Sequence, residues 1–187
     1  MKNNKKILVL ALAALLLVAV SIGGTIAYLT ATTDAVENTF TPSSVGVSIT
    51  ESVSNTFKMV PGVDMKKDPK VTVTNDVDCY VFVEITETNW PDGELLSYAV
   101  AEGWEQVGTE NVWSRIVTAD AATKEFYVLA GGTGDLANGQ IVVSEDMDST
   151  YMSTLTNASK YPKLSFKPYV IQKDPFTSAS EAWKQAK

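Results

Sequence analysis

Any chemistry done by this 187-residue chain must be done without imidazole, because it contains no histidine. A Ser-His-Asp or Cys-His nucleophile, an HExxH zinc site and a histidine proton shuttle are therefore excluded from the chain alone. Carboxylates remain for acid-base or metal work, and they gather at Asp76 and Asp78, at Asp92 and Glu94, and at Glu145, Asp146 and Asp148. Glu145-Asp146-Met147-Asp148-Ser149-Thr150 offers oxygen ligands at alternate positions. It lacks the central glycine and terminal bidentate glutamate of an EF-hand loop, so a solvated helix start is expected and no metal. Nothing in the spacing of these acids selects a glycosidase pair over surface solubility. The expectation is a chain with no catalytic residues and no cofactor.

Other side chains with chemical potential read as structural. Cys79 is the single cysteine, so no intrachain disulfide can form, and within Asp78-Cys79-Tyr80-Val81-Phe82-Val83 it reads as a small buried hydrophobe. Trp90, Trp104, Trp113 and Trp183 would make a glycan-stacking face only if exposed together, and core packing is the expectation. Gly131-Gly132-Thr133-Gly134 is not followed by Lys-Ser/Thr or a long helix, so it reads as a turn and not a phosphate cradle. Asn157-Ala158-Ser159 fits a glycosylation sequon. Lysines 66, 67, 70, 160, 163 and 167 with Asn75, Asn89 or Asn157 supply the ingredients of an isopeptide crosslink, which spacing alone does not pair.

The elements that position these residues begin after a leader. Residues 1–27 carry three lysines, an apolar run from Ile7 to Val20 and small residues ending at Thr25-Ile26-Ala27, the layout of a signal peptide forming an N-terminal signal helix. Fourteen residues at 1.5 Å rise reach about 21 Å, short of a roughly 30 Å hydrocarbon core. Extension to Leu29 would lengthen the segment enough to span, which leaves an uncleaved anchor as the alternative. Formal charge is −7, from 15 basic and 22 acidic residues. Without Lys2, Lys5 and Lys6 the balance is 12 against 22, or −10, which disfavours nucleic acid as a partner. A secreted protein, extracellular or at the cell surface, is expected.

From residue 28 onward the chain holds 19 Val and 19 Thr against 7 Leu, a β-branched excess that suits pleated, half-buried surfaces. Alternation predicts strands at Val45 to Ile49, Val71 to Thr74 and Tyr80 to Ile85, with Val81, Val83 and Ile85 on one face and Tyr80 and Phe82 on the other. Further strands are expected at Leu96 to Ala101, Val112 to Val117, Glu125 to Leu129, Gln140 to Ser144 and Leu164 to Gln172. Pro61-Gly62, Asp68-Pro69, Pro91-Asp92-Gly93, Gly131 to Asp135 and Asn138-Gly139 read as turns. Short helices are expected within Glu145 to Leu155 and Ser178 to Lys187, the latter with Ser180 as N-cap and Ala182 and Trp183 inward. The pattern predicts a mainly β fold: a jelly-roll-type two-sheet sandwich over residues 45–187, preceded by an arm at 28–44.

Three stretches resemble the TasA/camelysin family of exported Gram-positive proteins, especially its BsaA-like branch of biofilm matrix subunits. They are Gly23-Gly24-Thr25-Ile26-Ala27-Tyr28-Leu29-Thr30 with Asn38-Thr39-Phe40-Thr41; Val60-Pro61-Gly62 with Lys67-Asp68-Pro69-Lys70-Val71 and Cys79 to Val83; and Leu164-Ser165-Phe166 through Tyr169-Val170-Ile171-Gln172 to Ser180-Glu181-Ala182-Trp183. Gly103-Trp104 and Val112-Trp113-Ser114-Arg115 keep the same order between them. The resemblance implies cleavage between Ala27 and Tyr28 by a SipW-like signal peptidase. It also implies a jelly-roll whose N-terminal segment completes a sheet of the next subunit, giving extracellular fibres with other matrix components as further partners. Free sheet edges offer the physical basis, since an extended arm satisfies their unpaired N–H and C=O groups. The expected anchors are Val36, Phe40, Val45, Val47 and Ile49, of which the last three have the alternative of the chain's own first strand. An adhesin-like glycan- or protein-binding module is the second expectation. A camelysin-like metallopeptidase ranks last, because a hydrolytic zinc site without imidazole would be unusual.

Overall fold

The computed structural model describes residues 43–53, 57–91 and 94–187. The expected mainly β class is what the structure has. Among these residues ten strands follow in chain order: β1 (Val45–Thr50), β2 (Met65–Lys66), β3 (Lys70–Asn75), β4 (Cys79–Thr88), β5 (Leu96–Ser97), β6 (Glu105–Gln106), β7 (Val112–Val117), β8 (Glu125–Tyr127), β9 (Gln140–Val143) and β10 (Lys163–Gln172). Two α-helices accompany them, α1 (Ser149–Thr154) and α2 (Ala179–Ala186). All pairing is antiparallel, in three sheets ordered β1-β3-β8, β10-β4-β7-β6 and β2-β9-β5.

Three sheets stand where two were expected, and main-chain bonds extend and link the first and third. Lys67 N donates to Gly139 O at 3.0 Å, Val128 N to Pro69 O at 2.9 Å, and Ala101 N to Val128 O at 2.9 Å. The residues joining β2 to β3 are Lys67, Asp68 and Pro69, all buried. Asp68-Pro69 is therefore no surface turn, contrary to expectation. Burial is tolerable because the Asp68 carboxylate accepts from Ser52 N and Ser52 Oγ and lies 3.6 Å from Lys66 Nζ. Gly139, with φ 145°, lies so close to the Lys67 carbonyl that a side chain there would collide with it.

β4 is the centre of the molecule, and its alternation explains how. Val81, Val83 and Ile85 join Val71, Val73, Val117 and Trp104 in one apolar cluster. Tyr80 and Phe82, on the opposite face, join Val112, Ala182 and Trp183 in a second. The strand is thus covered on both faces near its start, as its sequence predicts. A third cluster, Leu96, Leu129, Ile141, Val143 and Met147, lies under the β2-β9-β5 sheet, and Leu164 and Phe166 of β10 border both it and the first.

Helix α2 closes the outer face of β4. Its N-cap is Ser178, whose Oγ accepts from Glu181 N at 3.2 Å, while the Glu181 carboxylate accepts from Thr177 N at 3.0 Å. The expected cap at Ser180 lies two positions too late, because Ser178-Ala179-Ser180-Glu181 is itself the capping signature. Trp183 packs edge-on against Tyr169 at 4.9 Å and tilted on Phe82 at 5.2 Å, and its Nε1 donates to Glu110 at 3.0 Å.

Candidate functional site

Two edge strands lie side by side. β1 ends one sheet and β10 ends another, they pack against each other, and neither has a second strand neighbour among the described residues. Backbone parity fixes which groups face outward. Asp76 N donates to Ser44 O, and Val73 N turns away from β1 to Lys124 O. In an antiparallel ladder the exchange alternates, so Val45, Val47 and Ile49 direct their N–H and C=O groups to the free side. On β10, Lys173 N donates to Asp78 O and Ile85 N turns to Asn111 O. The free row there belongs to Leu164, Phe166, Pro168, Val170 and Gln172. Pro168 has no N–H, so this edge is interrupted at its middle, a device that limits edge pairing.

The chain enters this region at Ser43, whose Oγ lies 3.5 Å from Gln172 at the far end of β10. Ser44 is tied to Asp76, its N–H donating to the carboxylate at 2.7 Å. Of the expected arm at 28–44 only Ser43 and Ser44 are described, and residues 28–42 lie outside the described residues.

At the opposite end of β10 lies a cleft of about 790 Å³. Its apolar wall includes Met59, Leu96, Ile141 and Leu164, with Lys58 and Lys163 exposed on the rim. A smaller hollow adjoins it between Ile49, Thr50 and Glu51 on one side and Leu164 to Phe166 on the other. Lys67 belongs to both. Its Nζ lies 2.6 Å from Glu51 Oε2 and 5.5 Å from the ring centroids of Phe57 and Phe166. Next to this pair, burial pushes the Asp68 carboxyl up, yet the Ser52 hydrogen bonds and the Lys66 charge bring it below the usual carboxylate range.

Ala27, Tyr28, Val36 and Phe40 lie outside the described residues. Val45, Val47 and Ile49 sit on β1, opposite Asn75, Val73 and Val71 of their own chain, with their side chains against the first cluster. This is the second of the two roles the sequence leaves open for them. The tryptophans make no common face: Trp104 and Trp113 belong to the first cluster, Trp183 to the second and Trp90 to the third. Asp148 caps α1, accepting from Tyr151 N at 2.9 Å, as expected of a helix start. Asp76 and Asp78 instead accept from backbone N–H groups of Ser44 and Ala119.

Cys79 is fully buried, and desolvation pushes its thiol up to about 11. Some of the lysines and asparagines with isopeptide potential have other partners. Lys67 pairs with Glu51 and Lys70 with Glu125, whereas Asn89 Nδ2 donates to the Ser159 and Tyr161 carbonyls and Asn75 Nδ2 to those of Val77, Val117 and Thr118. Sequence reasoning missed the cleft and the Lys67–Glu51 pair, since both join segments far apart in the chain. The β10 edge had a readable signal in Pro168, because proline within a strand pattern belongs at an edge. No helix among the described residues is long and apolar enough to cross a membrane. No protein-family model, curated protein or solved structure matches this chain.

Proposed function

We propose that the chain is a secreted structural subunit of an extracellular biofilm matrix fibre, built on a jelly-roll-type sandwich and assembled by strand donation. Export and cleavage after Ala27 by a SipW-like signal peptidase would release Tyr28 and the arm that follows. Until cleavage the leader tethers the arm to the membrane, so proteolysis acts as the assembly switch. The subunit is non-enzymatic and works by self-association, as its likeness to TasA/camelysin sequences suggests.

The observation that carries this reading is that β1 and β10 each end a sheet without a second hydrogen-bonded strand among the described residues, and that the described chain begins beside them at Ser43. A donated strand satisfies such a row of backbone groups while its alternate side chains enter apolar pockets. The test is gel filtration and electron microscopy of the chain begun at Tyr28, with and without residues 28–42. Filaments that require those residues support donation. A monomer in both cases refutes it.

A further inference from the structure

We infer that Arg115 and the open peptide edge at Ile116 form a receptor for the C-terminal carboxylate of an extended peptide. The inference does not depend on strand donation, and its site lies on β7, away from the β10 edge of the same sheet.

The first observation is a cation without a counterpart. The chain has fourteen lysines and a single arginine. That arginine is half-buried on β7, its Cζ 3.7 Å from the ring centroid of Phe126 and 5.2 Å from that of Trp104. Gly103, with φ 85°, lies so close that a Cβ there would sit 2.8 Å from an Arg115 Nη, so the turn lets the guanidinium rest against its backbone. Rings cover the face of a guanidinium and leave its N–H edge, the part that grips a carboxylate in a two-bonded fork. Arg115 has no ion pair among the described residues, and burial alone pushes it below the usual guanidinium range. Partly buried lysines do have partners: Lys67 has Glu51, and Lys124 donates to the carbonyls of Asn75 and Ala119. A desolvated charge left alone is costly, and a bound anion offsets that cost.

An open stretch of main chain is the second. Ile85 N donates to Asn111 O, so by alternation Arg115 and Val117 exchange their bonds with Val81 and Cys79 of β4. Ile116 therefore turns its N–H and C=O to the other side. There β6 pairs only with Trp113 and Ser114, and no main-chain bond reaches Ile116 among the described residues.

Together the two features select the occupant. An extended peptide can exchange main-chain bonds with Ile116 while its terminal carboxylate takes the neighbouring fork. Glu102 and Glu105 are exposed on either side of Gly103-Trp104, and they oppose a dianion such as phosphate more than a single carboxylate. Glu125, beside Phe126, is paired with Lys70. Asp92 lies outside the described residues, and its neighbours Trp90 and Leu95 border the third cluster. Arg115 stands opposite Val81 of the first cluster, about 23 Å along β4 from Thr88.

The test is NMR of the nitrogen-labelled full chain in a non-ionic detergent. With one arginine in the sequence, its side-chain Nε–H gives one signal. Acetyl-trialanine with a free carboxylate should shift that signal and the Ile116 amide together and saturably. The same peptide ending in an amide should bind about tenfold more weakly or worse, the loss of a charge-assisted hydrogen bond. Arg115→Lys, read at the Ile116 amide and with an otherwise unchanged amide spectrum, should weaken the acid peptide by a similar factor. If the acid peptide moves the Nε–H signal no more than sodium chloride at equal ionic strength, there is no receptor. If the amide-ended peptide binds equally, Arg115 is a structural contact only and the inference fails. If acetate binds as tightly as the acid peptide, Ile116 takes no part and the peptide receptor is overturned in favour of a bare carboxylate site.

Discussion

Cys79 and the Lys67–Glu51 pair behave as structural groups because their surroundings leave little else for them to do. With its thiol enclosed and shifted up to about 11, Cys79 should resist a disulfide reagent at pH 8 in the native chain. Full reaction is expected only in denaturant, and rapid native labelling would contradict the burial. Tyr98 is also shifted up, to about 12, first by burial and then by its bond to Glu87. Both groups hold their protons to higher pH in the folded chain than in the unfolded one. Unfolding therefore releases protons in alkali, and stability should fall as pH rises from about 9 through 11 and 12, measured by urea midpoints. Replacement of Cys79 by alanine should flatten the first part of that decline. Lys67 and Glu51 keep side-chain exposures of 11% and 17%. Glu51→Gln should thus destabilise by about 2 kcal/mol, below the roughly 3–5 kcal/mol of a fully buried broken pair, as read by denaturant titration.

At the scale of elements, α2 is the cover of the β4 sheet, and Trp183 is its main contact. Trp183→Ala should cost about 3–5 kcal/mol and expose Tyr80 and Phe82, whereas Trp183→Phe should cost less because the contacts with Tyr169 and Phe82 partly survive. Calorimetry distinguishes the two variants, and equal melting temperatures would contradict the packing. The sequence made this contact legible, since Tyr80 and Phe82 require a partner opposite Val81 and Val83 and an amphipathic segment with Ala182 and Trp183 supplies it. Long strands were legible for the same reason: Val112–Val117 has the bounds that alternation predicts, and β4 and β10 extend the predicted runs by a few residues. β2 and β6 were not, because two residues carry no period. Asp68-Pro69 read as a turn because its dipeptide favours one, yet the bonds from Ser52 and Val128 hold it inside. The cleft was invisible for a different reason, being walled by segments brought together only by tertiary pairing.

For the whole molecule the strand-donation proposal rests on two edge strands, β1 and β10, that lack a second strand neighbour among the described residues. On that proposal a donated strand makes a head-to-tail contact, so extended chains are expected and no two-fold dimer. The same proposal predicts that retention of the leader keeps the protein monomeric in detergent and that N-terminal sequencing of the polymer begins at Tyr28. The most direct measurement is negative-stain electron microscopy of two preparations at equal concentration, one starting at Tyr28 and one at Ser43. The account predicts long filaments from the first and folded single particles from the second. Equally abundant filaments from both would contradict it.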